Sequence, residues 1–391
     1  MPDTASLRNS WAPVLTLTVA AFIFNTSEFV PIGLLSDLAS SFAVSEATAG
    51  LIITAYAWVV LFASLPLILL FSRMDFKYLL ALILACMTLS QAATALSQSF
   101  GFLLGSRLAV ALCHALFWSI ACPLAVKIAP EGQASKAVGL VAAGTAVAMV
   151  GGMPLGRVIG LYVGWRVTFA LLGLISLALL IAVLTVLPRV PGVRSPVLTV
   201  LPRIVKNGPL MGLYVVTALI FTANYTPYSY IEPYLALVGS IAPAYITLAL
   251  ILFGVAAIVS SILFSRGYDG HEKLFIYFAF GGLTVFLALL HVLTFNLTLT
   301  LADCFLWGLA FSVFSLSFQA LVIRLESEYS AIATSIYSSI CNLGIGAGAF
   351  VGSHILDYAD VRAIGYVGAA LALTALIILR LKLMRRWFGS R

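Results

Sequence analysis

The sequence contains few charged side chains for its length. Only 9% of its 391 residues are Asp, Glu, Lys or Arg, whereas ordinary soluble domains contain about 25%. Hydrophobic residues make up 62% of the chain. A soluble protein of this composition would not have enough polar side chains to cover its surface. The composition therefore excludes an ordinary soluble domain and predicts a protein embedded in a lipid bilayer.

The sequence also lacks the motifs that bind metals, cofactors or phosphate groups. Its five cysteines lie singly inside apolar stretches, without the spacing of a metal or redox site. It contains neither a phosphate-binding loop nor a nucleophile–base arrangement. We therefore expect no cofactor, no metal and no enzymatic activity, and we interpret the cysteines as small packing residues. They are Cys86, Cys113, Cys122, Cys304 and Cys341.

Long apolar runs occupy nearly the whole chain. One bilayer crossing needs roughly 20 apolar residues, and a backbone in lipid satisfies its own hydrogen bonds by forming a helix. The sequence therefore predicts an all-α membrane protein with twelve transmembrane helices. The first run is too long for a signal peptide and contains Asn25 and Glu28, so we interpret it as a retained span. The predicted spans are about 12–35, 47–71, 78–97, 102–129, 137–160, 166–188, 210–238, 244–265, 273–294, 297–323, 331–356 and 363–383.

The net charge of +7 has the distribution expected of a membrane protein, and we expect no nucleic-acid partner. Lys and Arg accumulate in cytoplasmic loops. With the N-terminus inside, seventeen of the 21 Lys and Arg residues are cytoplasmic. Only Arg157, Arg166 and Arg362 are on the opposite side, and Arg107 is within a span. This distribution predicts that both termini are cytoplasmic.

The chain is predicted to consist of two related halves. A stretch rich in proline and basic residues, 189–209, separates an N-terminal six-helix half, 1–188, from a C-terminal six-helix half, 210–391. Residues recur at a constant interval in the two halves, which indicates internal duplication. Two similar halves are typical of a transporter that alternately exposes a central site to the two sides of the membrane. The recurring residues are Gly152, Gly156, Tyr162 and Arg166, which correspond to Gly348, Gly352, Tyr358 and Arg362.

Glu28 lies in the middle of the first span. An ionisable side chain inside a span costs about 2.5–3.5 kcal/mol on insertion scales, which makes it a candidate for function. Asn25 and Glu28 are predicted to share one helical face. A carboxyl group in a low dielectric is easier to protonate than one in water, so Glu28 is a candidate proton carrier. The alternative is a structural hydrogen bond to a neighbouring helix.

The fourth span carries a stripe of functional candidates. Arg107, His114 and Trp118 recur at helical spacing and are predicted to face the same way. Arginine stays charged and can hold a carboxylate. Histidine changes its charge near neutral pH. We therefore interpret Arg107 and His114, together with Glu28, as candidates for proton coupling, the alternative for His114 being a buried packing residue.

The seventh span combines aromatic, polar and proline residues. Tyr225, Tyr228 and Glu232 are predicted to share a face near Asn224, and the prolines disrupt the helix. Ring faces beside convergent hydrogen-bonding groups suit a pocket for a polyhydroxylated ligand. The alternative places these tyrosines in an interfacial aromatic belt and Glu232 at the outer surface. The full set of candidate substrate-binding residues is Asn25, Tyr56, Trp118, Asn224, Tyr225, Tyr228, Glu232, Gln319 and Asn342, with Asp303 placed near the outer end of its span.

Three segments carry a resemblance to a known family. Residues 24–35 (FNTSEFVPIGLL), 144–157 and 228–233 (YSYIEP) resemble signatures of the twelve-span drug:proton antiporter branch of the major facilitator superfamily, and among these the bacterial sugar efflux transporters. The resemblance implies two pseudo-symmetric six-helix bundles in the bacterial inner membrane. It also implies proton-driven export of sugars such as arabinose and of the lactose analogue IPTG. We expect protons, a small polar substrate and the lipid bilayer as partners, and a monomer.

Two other functions fit the same sequence. One is a multidrug or nucleoside exporter on the same fold. The other is a membrane-embedded enzyme that uses a Glu and a His as acid and base. The absence of a nucleophile cluster and the repeat of the two halves favour a transporter over an enzyme.

Overall fold

The computed structural model describes residues 10–192, 197–384 and 387. Within these ranges the chain is almost entirely helical and forms no β-strand, which confirms the prediction of an all-α membrane protein. Twelve helices are long and apolar enough to cross a membrane. They are Ala12–Gly33, Glu46–Phe71, Phe76–Ala95, Phe100–Ile128, Ala134–Tyr162, Trp165–Val186, Gly208–Leu237, Pro243–Gly267, Glu272–Leu293, Leu297–Leu325, Ile332–Tyr358 and Val361–Leu383.

Several spans are interrupted, and shorter helices precede or connect others. The helices up to the connector are α1 (Ala12–Gly33), α2 (Leu35–Ser41), α3 (Glu46–Phe71), α4 (Phe76–Ala95), α5 (Phe100–Ile128), α6 (Ala134–Val147), α7 (Met153–Tyr162) and α8 (Trp165–Val186). The connector contains α9 (Val197–Lys206), and the helices that follow are α10 (Gly208–Tyr228), α11 (Ile231–Leu237), α12 (Pro243–Gly267), α13 (Glu272–Leu293), α14 (Leu297–Leu325), α15 (Ser330–Tyr358) and α16 (Ile364–Ile378).

The chain forms two compact units. The first contains residues 1–38 and 59–195, and the second contains residues 39–58 and 196–391. The predicted N-terminal half, 1–188, differs from the first unit because residues 39–58 pack within the second. Close contacts there explain the difference: Gly50 lies against the ring of Tyr230, and Trp58 lies against Gly346.

Each unit repeats the same scheme of helix packing. In the first unit α1 packs against α6 and α7, and α4 packs against both α5 and α8. In the second unit α10 packs against α15, and α13 packs against both α14 and α16. The recurring residues of the sequence occupy matching places, since Tyr162 ends α7 and Tyr358 ends α15. The packing of each unit therefore agrees with internal duplication.

Glycines allow α1 to approach the fifth span closely. A β-carbon added to Gly152 would collide with the side chain of Thr26, and one added to Gly144 would collide with the backbone of Thr18. The fifth span also changes to π-helical geometry between α6 and α7, over Ala148–Gly152. Such turns displace the helix axis. The fifth span is therefore not one uninterrupted α-helix.

We expect Gly152→Ala to destabilise the protein by about 1–3 kcal/mol, because the new methyl group overfills the contact with Thr26. Gly151→Ala is the matched control, since a β-carbon there has no neighbour within 4 Å. Thermal unfolding of the purified variants in detergent measures the difference. Equal stability of the two variants would show that the α1 contact adapts without cost.

The predicted connector between the halves, 189–209, contains the short helix α9, which its proline and basic residues did not indicate. Arg203 on α9 contacts the carboxylate of Glu328 at 2.6 Å and that of Glu326 at 3.7 Å. Asn207 donates a hydrogen bond to the carbonyl of Leu325 at 3.1 Å. The Arg203 guanidinium holds the pKa of Glu328 below its ordinary value. These contacts fasten α9 to the end of α14 within the second unit.

Arg157 is the buried member of the three basic residues that the charge distribution assigns to the non-cytoplasmic side. It lies in α7 with only 1% of its surface exposed and donates a hydrogen bond to the carbonyl of Gly33. It also interacts electrostatically with Asp37. Five residues of the predicted cytoplasmic set lie outside the described ranges: Arg8, Arg194, Arg385, Arg386 and Arg391.

Candidate functional site

The first unit brings Glu28 and His114 together. Oε2 of Glu28, on α1, lies 3.6 Å from Nε2 of His114, on α5. Only 10% of the Glu28 side chain and 5% of the His114 side chain are exposed. This distance is within ion-pair range and longer than a hydrogen bond. Two residues that the sequence places 86 positions apart therefore form one candidate proton-binding pair.

Arg107 lies beside this pair and anchors α1. It is 1% exposed, and it donates hydrogen bonds to Oγ of Ser27 at 3.1 Å and to the carbonyl of Ser27 at 2.6 Å. Its guanidinium also interacts electrostatically with Glu28 and with His114. The ring of Phe169 packs under it at 5.3 Å. The predicted stripe on α5 thus contributes both the positive charge of Arg107 and the imidazole of His114 to the site.

Gln91 is a member of this cluster that the sequence reading missed. Its Nε2 donates a hydrogen bond to Oγ of Ser27 at 2.5 Å, and its side chain is fully buried in α4. Gln91 and Arg107 therefore meet at the same hydroxyl, next to Glu28 in the chain. An isolated glutamine in an otherwise apolar span was the available signal, because polar side chains inside spans are costly.

Asn25 and Trp118 lie at the margins of the cluster. Asn25 donates hydrogen bonds to the carbonyl of Ala21 at 2.9 Å and to Oγ1 of Thr145, on α6, at 3.2 Å. It therefore contacts a different helix from Glu28, although one shared face was predicted. Trp118 is half-buried, and its ring centroid lies 6.3 Å from that of His114.

A carboxylate and an imidazole at this distance can bind one proton between them. Such a pair titrates as a unit, so the proton belongs to the pair and not to either residue alone. A nearby fixed positive charge disfavours the doubly protonated pair. Small shifts between α1 and α5 would change these interactions. The cluster of Glu28, His114, Arg107, Ser27 and Gln91 is chemically suited to loading and releasing a proton.

The seventh span is broken where its prolines occur. Helix α10 ends at Tyr228, a turn follows at Ser229 and Tyr230, and α11 begins at Ile231. The interruption confirms the effect expected of proline. It also puts Glu232 on a separate helix, so the spacing of one continuous helix no longer relates Glu232 to Tyr225 and Tyr228. Glu232 is buried, with 5% of its surface exposed.

The second unit contains an aromatic cluster around Asn224. Nε1 of Trp307, on α14, donates a hydrogen bond to Oδ1 of Asn224 at 2.8 Å. The Tyr228 ring lies 6.0 Å from the Trp307 ring and 5.5 Å from the Tyr225 ring, in edge-to-face contacts. Tyr225 and Tyr228 are only 3% and 4% exposed. Tyrosines of an interfacial aromatic belt would instead be exposed on the surface of the protein. Trp307 was missed by the sequence reading, although it is a lone tryptophan within its span.

The remaining candidates have different surroundings. Asn342 is 8% exposed, and its amide donates to the carbonyl of Ser338 at 3.1 Å. Tyr56 is buried in α3, at 3% exposure. Gln319 is exposed on α14. The described part of the chain contains no group of three or more His, Cys, Asp and Glu residues that could hold a metal ion.

Comparison with known proteins identifies the class of transporter. Residues 17–325 match the Major Facilitator Superfamily. This match covers most of the chain, so the protein belongs to the Major Facilitator Superfamily. The fold and the family together define a multi-pass membrane transporter of the kind that works by alternating access.

Solved structures show the same fold at low sequence identity. A bacterial homolog of the human lysosomal transporter Spinster, in an inward-facing and occupied conformation, has a TM-score of 0.75 and 14% identity, covering 96% of this chain and 97% of that one. A peptide transporter POT in complex with sulfate has a TM-score of 0.71 and 15% identity, covering 94% of each chain. These likenesses establish the fold alone.

Proposed function

We propose that the protein is a proton-coupled exporter of sugars such as arabinose and of IPTG-like compounds. The observation that carries this proposal is the Glu28–His114 pair, 3.6 Å apart and enclosed beside Arg107. Within a span, such groups mark proton relays and substrate pathways. The motifs that resemble those of the bacterial sugar efflux transporter SotB supply the substrate class and the direction of transport.

The aromatic cluster of the second unit is the proposed substrate site. Sugars combine apolar ring faces with hydroxyl groups, and they bind where aromatic rings lie beside convergent hydrogen-bonding groups. Asn224, Tyr228 and Trp307 offer this combination in one place. An aromatic cluster also suits lipophilic drugs, so a multidrug exporter is the second candidate. The two candidates differ in whether the amide and hydroxyl groups contribute to affinity.

The distribution of Lys and Arg supports an orientation with both termini in the cytoplasm. We propose a monomer in the bacterial inner membrane with both termini in the cytoplasm. In this orientation the membrane potential drives protons inward and contributes about 2.3 kcal/mol per 100 mV for each charge moved. An exporter can use this energy by exchanging a proton for a sugar.

Binding measurements on the purified protein test the substrate class. We expect isothermal titration calorimetry in nanodiscs to detect arabinose and IPTG but no lipophilic cation. Tyr228→Phe removes only a hydroxyl group, and the loss of one hydrogen bond of about 1.5 kcal/mol should weaken sugar binding roughly tenfold. Asn224→Ala should weaken it at least as much, because it also releases Trp307.

Tyr245→Phe is the matched control, since Tyr245 belongs to the same unit and is 46% exposed. Its sugar affinity should equal that of the parent protein. Undiminished affinity in both Tyr228→Phe and Asn224→Ala would place the sugar elsewhere. Binding of lipophilic cations without sugars would favour the multidrug exporter.

A further inference from the structure

Asp303 is a buried carboxylate that the coupling centre of the first unit does not use. It lies near the beginning of α14, with only 2% of its surface exposed. Neither of its carboxylate oxygens has a hydrogen-bond partner among the described residues. An ionised carboxylate without partners is strongly disfavoured inside a protein or a bilayer. Its protonation and the approach of a positive group are the two ways to remove this penalty.

Among the described residues, no charged group forms an ion pair with Asp303. Cys304 follows it on α14 and interacts with Tyr228 of α10. Tyr234, on α11, interacts electrostatically with Asp303, and it also interacts with Arg362, Tyr366 and Thr294. His291, on α13, packs against Tyr366 at 6.1 Å between ring centroids. Arg362 is the cation of this region, and no ion pair joins it to Asp303 among the residues that the structure describes.

Asp303 is also one helical turn from the proposed substrate site. Positions four residues apart on a helix lie on the same face, so Asp303 and Trp307 are neighbours on α14. Trp307 in turn donates its hydrogen bond to Asn224. A change of charge on Asp303 would therefore act directly on the field around the Trp307–Asn224 pair.

We propose that Asp303 is a second proton-binding site of the protein, and that its protonation is linked to occupancy of the Asn224–Trp307 cluster. The link to occupancy rests on the proposed function. A proton from water adds to the carboxylate to give the neutral acid, and it leaves again when the surroundings of α14 become more polar. Two sites, one in each unit, would allow the transporter to exchange more than one proton in each cycle.

Infrared difference spectroscopy of the protein in nanodiscs detects this proton directly. Spectra recorded across about pH 5 to 9, the range in which buried carboxyl groups titrate, should contain a protonated-carboxyl band that changes with pH. This band should disappear in Asp303→Asn. The Asp303 band should persist in Asp269→Asn, which removes an exposed acid of the same unit. It should also persist in Glu28→Gln, which removes only the separate band of Glu28. Asp303→Glu should keep the band at a shifted frequency, and it replaces Asp303→Asn if that variant does not fold.

Two results would overturn the proposal. One is an Asp303 band that is absent or that stays constant across this pH range, because the residue would then be permanently charged or permanently neutral. The other is an arabinose affinity with the same pH dependence in Asp303→Asn as in the parent protein, which would separate the proton from the substrate site. The pH spectra require no sugar. Failure of arabinose to bind at all would therefore count against the proposed function while leaving the titration of Asp303 measurable.

Discussion

Glu28→Gln and His114→Ala are each expected to abolish uphill export. The two side chains form the proposed proton-binding pair of the first unit. We expect the transport cycle to require this pair, so that a proton bound at Asp303 alone cannot drive export. At 100 mV the membrane potential contributes about 2.3 kcal/mol per proton, which supports roughly a 50-fold concentration ratio. Proteoliposomes with an imposed proton gradient should accumulate labelled arabinose to about this ratio with the parent protein, and to no ratio above unity with either variant.

Counterflow separates a coupling defect from a folding defect. Exchange of labelled for unlabelled sugar needs no net proton movement, so it should survive in at least one of the two variants. A protonophore should abolish uphill export by the parent protein and leave its counterflow unchanged. Glu131→Gln and His271→Ala are matched controls on exposed residues and should behave like the parent protein. Uphill export by both Glu28→Gln and His114→Ala would show that neither side chain is the obligatory carrier.

Arg107→Lys is expected to reduce export at least tenfold although it keeps the positive charge. The planar guanidinium donates to both the hydroxyl and the carbonyl of Ser27, at 3.1 Å and 2.6 Å. A lysine ammonium cannot reproduce this two-pronged geometry. Hydrogen bonds to charged groups contribute about 1.5–3 kcal/mol each, and 1.4 kcal/mol corresponds to a factor of ten. Initial rates of sugar export from proteoliposomes measure the effect.

Arg166→Lys provides the comparison for this substitution. Arg166 is exposed, donates to the carbonyl of Ser97 at 2.9 Å and packs over Trp165 at 4.2 Å. Its replacement should change export by no more than about twofold, as expected of a surface interaction. Export by Arg107→Lys at the parent rate would show that charge alone, and not the geometry at Ser27, is required.

The helices could be predicted from the sequence because the bilayer leaves the backbone few choices. Every apolar run of sufficient length forms a helix, and each of the twelve predicted runs overlaps one. The break in the seventh span could be predicted from Pro227 and Pro233. The helix α9 was missed because a short amphipathic segment in a polar, proline-rich stretch has no such constraint. Its contact with Glu328 is a property of the folded unit.

The candidate site was partly predictable for a related reason. Glu28, Arg107 and His114 are costly inside spans, so each could be recognised singly. That Glu28 lies beside His114, and that Gln91 and Arg107 converge on Ser27, depends on the rotation and packing of α1, α4 and α5. No pattern within one helix contains this information. The same reasoning explains why Trp307 and the burial of Arg157 became evident only with the neighbouring helices in place.

The sequence by itself determined the class of protein, the number of spans and the residue types available for proton transfer, because hydrophobicity and the cost of buried charge act locally along the chain. Only the tertiary structure decided which of these residues meet. Small residues such as Gly152 set how closely two helices approach, and that approach fixes which side chains face each other. It thereby paired Glu28 with His114 and left Asp303 without a hydrogen-bond partner among the described residues. These outcomes depend on contacts between helices distant in the chain, which a single sequence does not specify.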